Sequence, residues 1–233
     1  MNKEEFIKEL EKININVTEE QIQSLDKYCN LLIEENKKYN LTAITDTKNI
    51  YLKHFYDSLT ITKAINLNNQ YLLDIGTGAG FPGVVLKIFF PQLTIDLLDS
   101  TTKKCEFLNK LIKLLNLKNI NVINERAEIY AKNNREKYDI VTSRAVAPLS
   151  HLLEYSIPVL KPNGIFISLK GNITEELTNI KRYYEKLFIY QEKIITFNLP
   201  KNQGYRSIYT IRKFKKTPLK YPRTYSNIKN HPL

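Results

Sequence analysis

The spacing of apolar positions changes near residue 70 of this chain. Before that point apolar residues recur every three or four positions, as Leu25 and Cys29 do, and this period predicts helices. One helix start is explicit, because Thr18 can act as its cap and Gln21 can complete a capping box. Residues 1–65 are therefore predicted to form an N-terminal helical region.

From residue 70 onward, short apolar runs alternate with stretches of helical period. The predicted strands span 71–75, 94–98, 120–123, 138–142, 165–169, 188–197 and 207–214, and the predicted helices span 81–90, 101–115, 148–160 and 174–187. Such alternation indicates a parallel sheet covered on both faces, and the turn around Gly204 predicts an antiparallel hairpin at its edge. The predicted fold class is α/β: a Rossmann-like, mostly parallel seven-stranded sheet with an antiparallel edge strand, plus the N-terminal helices. The predicted domains are 1–65 and 66–233, with a basic C-terminal tail from about residue 215.

Four of the 7 glycines in the chain lie in one window, at positions 76, 78, 80 and 83. This window follows a predicted strand and precedes a helix, where glycine lets a ligand approach the backbone and the helix N-terminus attracts anions. The spacing is G-x-G-x-G, and Asp74 precedes it. A carboxylate there suits a cofactor with a cationic amino-acid end, such as S-adenosylmethionine, better than a pyrophosphate. Asp74 and Gly76 are thus predicted cofactor-binding residues.

Acidic residues also follow the next two predicted strands. Asp99 can accept hydrogen bonds from both ribose hydroxyls of an adenosine, or it can cap the helix that follows. The amide of Ala127 and the carboxylate of Glu128 can read an adenine, or they can form only a surface turn. NAD and S-adenosylmethionine both carry adenosine, so Asp99 alone excludes neither. Asp74 and Glu128 together favour S-adenosylmethionine.

The positive charge is concentrated at the C-terminus. The chain has a net charge of +11, and residues 201–233 carry nine basic residues and no acidic one. Aromatic residues at positions 205, 209, 214, 221 and 225 are interleaved with these charges. Cations beside exposed rings are typical of proteins that bind RNA loops or single strands. The alternative is a solvated basic tail, or a terminal strand whose rings belong to the core.

Several classes of function are excluded by what the sequence lacks. With 2 cysteines and 3 scattered histidines, no zinc module and no metal site are expected. No apolar stretch reaches about 18 residues and the N-terminus has no signal core, so we expect a cytoplasmic protein without a membrane anchor. Cys29 and Cys105 fall on apolar helix faces and are expected in the core. His54, beside Phe55 and Tyr56, is more typical of a packed helix residue than of an acid or base.

Nine short motifs together resemble one known family. They are N-L-T-A-I-T at 40–45, K-H-F-Y-D-S-L at 53–59, D-I-G-T-G-A-G-F-P-G at 74–83, L-D-S at 98–100, R-A-E at 126–128, S-R-A-V-A-P-L at 143–149, L-K-G at 169–171, T-P at 217–218 and K-Y-P-R at 220–223. Over nearly its whole length the chain resembles the RsmG (GidB) family of bacterial 16S rRNA guanine-N7 methyltransferases. It departs from the family after residue 223, where the usual Gly-Pro-Lys type of tail is replaced by T-Y-S-N-I-K.

The resemblance implies a Rossmann-like methyltransferase fold that uses S-adenosylmethionine and releases S-adenosylhomocysteine. It implies methyl transfer to N7 of a guanine in 16S rRNA, guanine 527 in the family's rRNA numbering, either in the RNA or in an assembly intermediate of the small ribosomal subunit. The family pattern places cofactor contacts on Gly76, Phe81, Ala127, Glu128 and Arg144 of this sequence. A monomer is expected.

No catalytic residue is assigned from the sequence, because N7 of guanine has a free lone pair and no proton to lose. Consistent with this, the fourth strand is followed by S-R-A and not by the D/N-P-P-aromatic run of enzymes that methylate exocyclic amines. Arg144 is the nearest candidate, as a ligand of a carboxylate or a phosphate, or as part of a structural ion pair. Two alternatives remain at this point: a nicotinamide-dependent oxidoreductase on the same type of sheet, and a non-catalytic RNA-binding ribosome assembly factor.

Overall fold

A computed structural model describes all residues from 1 to 233. Its centre is one sheet of seven strands in the order β3-β2-β1-β4-β5-β7-β6. The strands are β1 Tyr71–Ile75, β2 Thr94–Asp99, β3 Ile120–Asn124, β4 Tyr138–Arg144, β5 Leu160–Lys170, β6 Ile189–Asn198 and β7 Tyr205–Lys213. The first five strands are parallel, and β7 is antiparallel to both of its neighbours. The predicted mostly parallel sheet is confirmed, and the reversed strand lies one position inside the edge.

The helices cover both faces of this sheet. They are α1 Lys3–Glu11, α2 Glu19–Tyr39, α3 Thr47–Asn49, α4 Asp57–Leu59, α5 Gly83–Phe89, α6 Thr102–Leu114, α7 Ala127–Asn133, α8 Leu149–Ser156, α9 Thr174–Thr178, α10 Lys181–Leu187 and α11 Tyr225–Asn230. A π-helical stretch over Ile50–Tyr56 joins α3 to α4, and 3₁₀ turns span Thr60–Lys63 and Pro200–Asn202. The capping box predicted at Thr18 and Gln21 is present at the start of α2.

The N-terminal helices pack against one face of the sheet and not at its edge. Phe6 and Tyr28 are buried in the same apolar cluster as Val84 of α5 and Leu97 of β2. Tyr28 also stacks on Phe81 with the ring centroids 5.3 Å apart. The helical region thus covers one face of the sheet, while α8, α10 and α11 bury the other. The division of the chain into two domains stays a prediction.

Three details differ from the sequence prediction. The helix predicted over 174–187 is two short helices, because it is interrupted at Asn179 and Ile180, and asparagine is a weak helix former. The segment after β3, predicted as a loop, contains the two-turn helix α7. The helix predicted from residue 81 begins at Gly83, with Pro82 just outside it.

The basic C-terminal segment is folded onto the body of the protein. Of its nine cations, six form salt bridges with acidic residues, namely Lys201, Arg206, Arg212, Lys213, Lys216 and Arg223. Tyr209 and Tyr221 are buried, so these two rings are unavailable for stacking on RNA bases. The alternative in which rings of this segment belong to the core holds for these two tyrosines.

One of those ion pairs is buried. The carboxylate of Glu154 in α8 has no exposed surface, and Arg223 binds it from both Nε, at 2.9 Å, and Nη2. Arg135 holds the same segment by donating hydrogen bonds to the carbonyl oxygens of Thr217, at 2.5 Å, and Tyr221, at 2.6 Å. These contacts fix the path of residues 215–233 against α8.

We therefore expect Arg223→Ala to destabilise the fold, because it would leave the Glu154 carboxylate buried without a partner. Removing one member of a buried pair costs about 3 kcal/mol or more. Urea unfolding followed by circular dichroism measures the loss. The control is Lys220→Ala, which removes a cation that forms no salt bridge in this segment and should change the free energy of unfolding by less than about 0.5 kcal/mol. An equal effect of the two substitutions would contradict the structural role of the pair.

Candidate functional site

A cavity of about 620 Å³ opens at the carboxyl ends of the central strands. This is the edge of an open α/β sheet where ligands bind, and the volume is in the range of cavities that hold small molecules. Five of the predicted site residues line it: Gly76, Asp99, Ala127, Glu128 and Arg144. The other two, Asp74 and Phe81, are buried and do not line the cavity.

The glycine turn after β1 forms one side of the cavity. The amides of Gly76 and Thr77 donate to the carbonyl oxygen of Leu98, at 2.8 and 3.1 Å, which ties the turn to the end of β2. Gly76 has φ +67°, and a Cβ atom there would lie 2.6 Å from the side chain of Val146. Only glycine fits this position without displacing Val146 or straining the backbone.

Asp74 holds this turn in place through hydrogen bonds to its side chain. Its Oδ2 accepts hydrogen bonds from Thr77 Oγ1 at 2.7 Å and from the amide of Gly83 at 2.8 Å. Its Oδ1 is buried without a hydrogen-bond partner, and burial raises the pKa of the carboxyl to about 6. Asp74 therefore stabilises the turn between β1 and α5. Its contact with a cofactor stays a prediction.

Asp99 joins the glycine turn to the loop after β2. Its carboxylate accepts hydrogen bonds from the amides of Gly78, at 3.0 Å, and Thr101, at 2.9 Å. Thr101 and not Asp99 occupies the cap position of α6. A carboxylate can accept about four hydrogen bonds, so Asp99 keeps acceptor capacity for ligand hydroxyls.

Glu128 lies in the first turn of α7, where the partial positive charge of the helix end favours a carboxylate. Its Oε1 accepts a hydrogen bond from Arg126 Nε at 2.7 Å. The guanidinium of Arg126 lies 4.7 Å from the ring centre of Tyr225. The rim of the cavity beyond β3 is thus built from the start of α7 and from the C-terminal helix.

Arg144, at the end of β4, reaches across to the N-terminal helical region. Its guanidinium donates to the carbonyl oxygen of Lys53 at 2.9 Å and to His54 Nδ1 at 3.1 Å, and it lies 3.5 Å from Asp57 Oδ2. The guanidinium also lies 4.9 Å from the ring centre of Phe81. The structural ion pair considered for Arg144 is therefore present. Burial lowers the pKa of Arg144, and the charge of Asp57 opposes this change.

His54 is a packed helix residue, as predicted. Its ring stacks on Phe81 at 4.3 Å, and its Nε2 lies 2.8 Å from Thr42 Oγ1. Since Arg144 can only donate, Nδ1 of His54 accepts and Nε2 carries the proton. Burial and the charge of Arg144 lower the pKa of His54 to about 3. The imidazole is neutral at physiological pH, and its acceptor nitrogen orients Arg144.

A second cavity, of about 360 Å³, adjoins the first and shares Arg144 and Ala145 with it. We name it the basic cavity, because its lining includes the charged side chains Lys53, Asp57, Arg144, Lys170 and Arg206. Arg206 Nε donates to both oxygens of Asp57, at 2.9 and 3.0 Å. The sequence prediction missed Asp57 and Arg206; the K-H-F-Y-D-S-L motif marked the former without a role, and nothing local marked the latter.

Other groups of the chain offer no further chemistry of this kind. No three His, Cys, Asp or Glu side chains come together as a possible metal site. Cys29 and Cys105 are buried free thiols, in agreement with the prediction. None of the helices combines the length and the apolar character needed to cross a bilayer.

The sequence is similar to the proteins of one family over almost all of its length. The model of one family, described as GidB, rRNA small subunit methyltransferase G, matches residues 21–207. A "Ribosomal RNA small subunit methyltransferase G" of Acetivibrio thermocellus is 47% identical over 221 residues, which are 94% of this chain and 91% of that protein. The protein of the same name from Bacillus subtilis is 44% identical over 227 residues, with 96% and 95% coverage.

The fold also has relatives among solved structures. A SAM-dependent methyltransferase from Aquifex aeolicus superposes with a TM-score of 0.52, at 16% identity, over 77% of this chain and 97% of that chain. At this identity the likeness concerns the fold alone. The predicted Rossmann-like methyltransferase fold is thereby confirmed.

The buried carboxyl of Asp74 should leave a signature in the pH dependence of stability. Its pKa is raised from 3.8 to about 6 in the folded protein, so between these values the folded state retains a proton that the unfolded state loses. The contribution of Asp74 to stability therefore falls as pH rises from about 4 to 6, by about 3 kcal/mol in total. Asp74→Asn should remove this component.

The measurement is urea unfolding of both proteins at pH 4, 5, 6 and 7. We expect Asp74→Asn to gain stability relative to wild type as pH rises through this window, and to show no further relative gain above it. A difference between the two proteins that is independent of pH would show that Asp74 titrates normally.

Proposed function

This chain belongs to the rRNA small subunit methyltransferase G (GidB) family, and from that premise we propose that it transfers a methyl group from S-adenosylmethionine to N7 of a guanine in 16S rRNA. The guanine is the one at position 527 in the family's rRNA numbering. The observation that carries the proposal is the junction of two cavities at Arg144 and Ala145, one suited to an adenosyl cofactor and the other to an RNA nucleotide.

The first cavity fits S-adenosylmethionine in its chemistry. Asp99 retains free acceptor positions for the two ribose hydroxyls, and Glu128 with the amide of Ala127 offers a polar edge for adenine. Gly76 lies in the lining of the cavity, beside Val146, where its backbone can meet the methionine end. When bound, S-adenosylmethionine would supply an electrophilic sulfonium methyl group.

The basic cavity would hold the acceptor base. Lys53, Lys170 and Arg206 line it; Lys170 is paired with Glu176 and Arg206 with Asp57, while Lys53 forms no salt bridge. An unpaired cation of this kind binds the phosphates of a nucleotide or the O6 atom that neighbours N7 of guanine. Arg144 would position the base from the shared wall. The chain would act by aligning N7 with the methyl group and by excluding water.

The groups around the junction of the two cavities suit an acceptor atom that, like N7, has no proton to lose. The N7 lone pair can form a bond to the methyl group without deprotonation, so no general base is needed. The nearest imidazole, His54, has its pKa lowered to about 3 and its Nδ1 occupied by Arg144. The carboxylate of Asp57 is occupied by Arg206. Neither group is poised to remove a proton, which favours a ring nitrogen over an exocyclic amine as the acceptor.

The decisive experiment is methyl transfer from labelled S-adenosylmethionine to 16S rRNA that lacks the modification, offered both as free RNA and within the 30S particle. We expect incorporation at one guanine and its release as 7-methylguanine on hydrolysis. Labelling of a different atom would refute the N7 assignment. Cofactor binding without any methyl transfer to either substrate would favour a non-catalytic assembly factor.

The ribose role of Asp99 gives a quantitative prediction for the cofactor. Asp99→Asn keeps the shape of the side chain but removes its charge, and a charge-assisted hydrogen bond contributes about 1.5–3 kcal/mol. The affinity for S-adenosylhomocysteine should fall about 10- to 150-fold in calorimetry. The control is Glu106→Gln, which removes a nearby negative charge outside the cavity. An unchanged affinity of Asp99→Asn would leave Asp99 with a purely structural role.

The role of the basic cavity gives a prediction for the RNA. Lys53 is half-buried at its rim, and its ammonium group forms no salt bridge. Lys53→Gln should weaken RNA binding and reduce the slope of log affinity against log salt by about 0.7–0.9, the value for one lost phosphate contact. Lys27→Gln, on the exposed face of α2, is the matched control. S-adenosylhomocysteine affinity should not change, because Lys53 lies outside the cofactor cavity. An unaltered salt slope would place the RNA elsewhere.

A further inference from the structure

The C-terminal helix α11 lies at the rim of the cofactor cavity, where Tyr225 and Lys229 form part of the lining. Nothing in the sequence pattern connected this segment with the glycine turn or with Asp99. It also lies beyond residues 21–207, the part of the chain that the family model matches. Its position therefore raises the question of what its exposed ring contacts when the cavity is filled.

The placement of α11 is imposed by buried contacts. Ile228, on the inner side of the helix, has no exposed surface and packs in the apolar cluster that includes Leu152 of α8. Arg223 just before the helix is bound to the buried Glu154, and its Nη1 donates to the carbonyl oxygen of His231 at 2.9 Å just after it. The helix is thus held at both ends and along one side.

Tyr225 is held by a chain of contacts that leads into the cavity. Its ring lies 4.7 Å from the guanidinium of Arg126, and Arg126 Nε donates to Glu128 at 2.7 Å. Tyr155 of α8 lines the same cavity, and burial, together with the charge of Glu128, raises its pKa to about 12. The ring of Tyr225 nevertheless remains 43% exposed. A guanidinium over one face and an exposed surface elsewhere leave an aromatic ring able to contact a further flat group.

The order of groups along the cavity shows which part of a ligand this ring meets. The glycine turn and Arg144 lie at one end, where β1 and β4 are adjacent. Asp99 follows at the end of β2, and Glu128 lies beyond β3. If Asp99 binds a ribose, the base of the same nucleoside extends toward Glu128, and the neighbouring aromatic surface is Tyr225.

We propose that Tyr225 is a cofactor-binding residue, whose ring, braced by Arg126, closes the adenine end of the cavity. The C-terminal segment is then a part of the adenosyl site. This inference rests on the proposed function, since it requires an adenosyl cofactor in the cavity. It assigns the segment a role in cofactor binding, which its positive charge alone did not indicate.

The test compares Tyr225→Ala, Tyr225→Phe and wild type by calorimetry with two ligands, S-adenosylhomocysteine and adenosine. Stacking of a base on an aromatic ring predicts that Tyr225→Ala lowers both affinities by the same factor, about 5- to 150-fold. Tyr225→Phe retains the ring and should stay within about twofold of wild type. The control is Tyr190→Ala on β6, which removes a ring of similar exposure, 47%, remote from the cavity.

A second measurement covers the case in which Tyr225→Ala also loosens the C-terminal segment. In the wild-type protein, saturating S-adenosylhomocysteine should slow tryptic cleavage after Lys220, Arg223 and Lys229, because a ligand under Tyr225 holds α11 in place. Adenosine should protect these sites as well, whereas methionine should not. Cleavage at the same rate with and without ligand would overturn the proposal, whatever the variants show.

The outcomes separate this inference from the proposed function. If wild type binds neither ligand, the adenosyl site itself is refuted. If wild type binds both and Tyr225→Ala binds them equally well, only the role of Tyr225 is overturned. A loss confined to S-adenosylhomocysteine, with adenosine unaffected, would place Tyr225 at the other end of the ligand and also overturn the proposal.

Discussion

The arrangement of the candidate site depends on the contacts that the buried guanidinium of Arg144 makes with the N-terminal helical region. Only 13% of its side chain is exposed, and its partners are the carbonyl oxygen of Lys53, His54 Nδ1 and Asp57. A charge buried to this degree is tolerated only when such partners are present. Because all three partners belong to the N-terminal region, the same contact joins that region to β4 and forms the wall between the two cavities.

Local patterns in the sequence carried the prediction of the fold and of half of the site. The strands and the glycine turn are set by neighbouring residues, and so is the capping box of Thr18. Asp99, Ala127 and Glu128 could be placed because parallel strands bring their carboxyl ends to one edge. The contact of Arg206 with Asp57 joins positions 149 residues apart, and the contact of Tyr225 with Arg126 joins positions 99 residues apart. No short pattern encodes such pairs, since they arise only when the whole sheet has formed.

The charge distribution also shows that contacts between distant positions cannot be predicted from the sequence. The excess of cations in residues 201–233 is real, but a sequence does not show which of them meet carboxylates from other elements. Arg206 and Arg212 lie on β7 and pair with Asp57 and with Glu192 of β6. The fully buried ammonium of Lys213 reaches the carbonyl oxygens of Ile157 and Leu160, and burial lowers its pKa to about 8. Net charge thus indicates an affinity for polyanions, while the contact surface has to be read from the unpaired cations that remain.

The protonation states around Arg144 bear directly on the chemistry of the junction. A neutral His54 leaves two guanidinium groups and one carboxylate, Asp57, in this cluster, a net charge of about +1. Methylation at N7 converts a neutral base into a cation, and the positive charge that leaves the sulfonium appears on the guanine. A protonated imidazole at His54 would add a further like charge near that base. In the proposed reaction, the low pKa of His54 would therefore do more than orient Arg144, because it would limit the repulsion that the methylated base meets at the wall between the cavities.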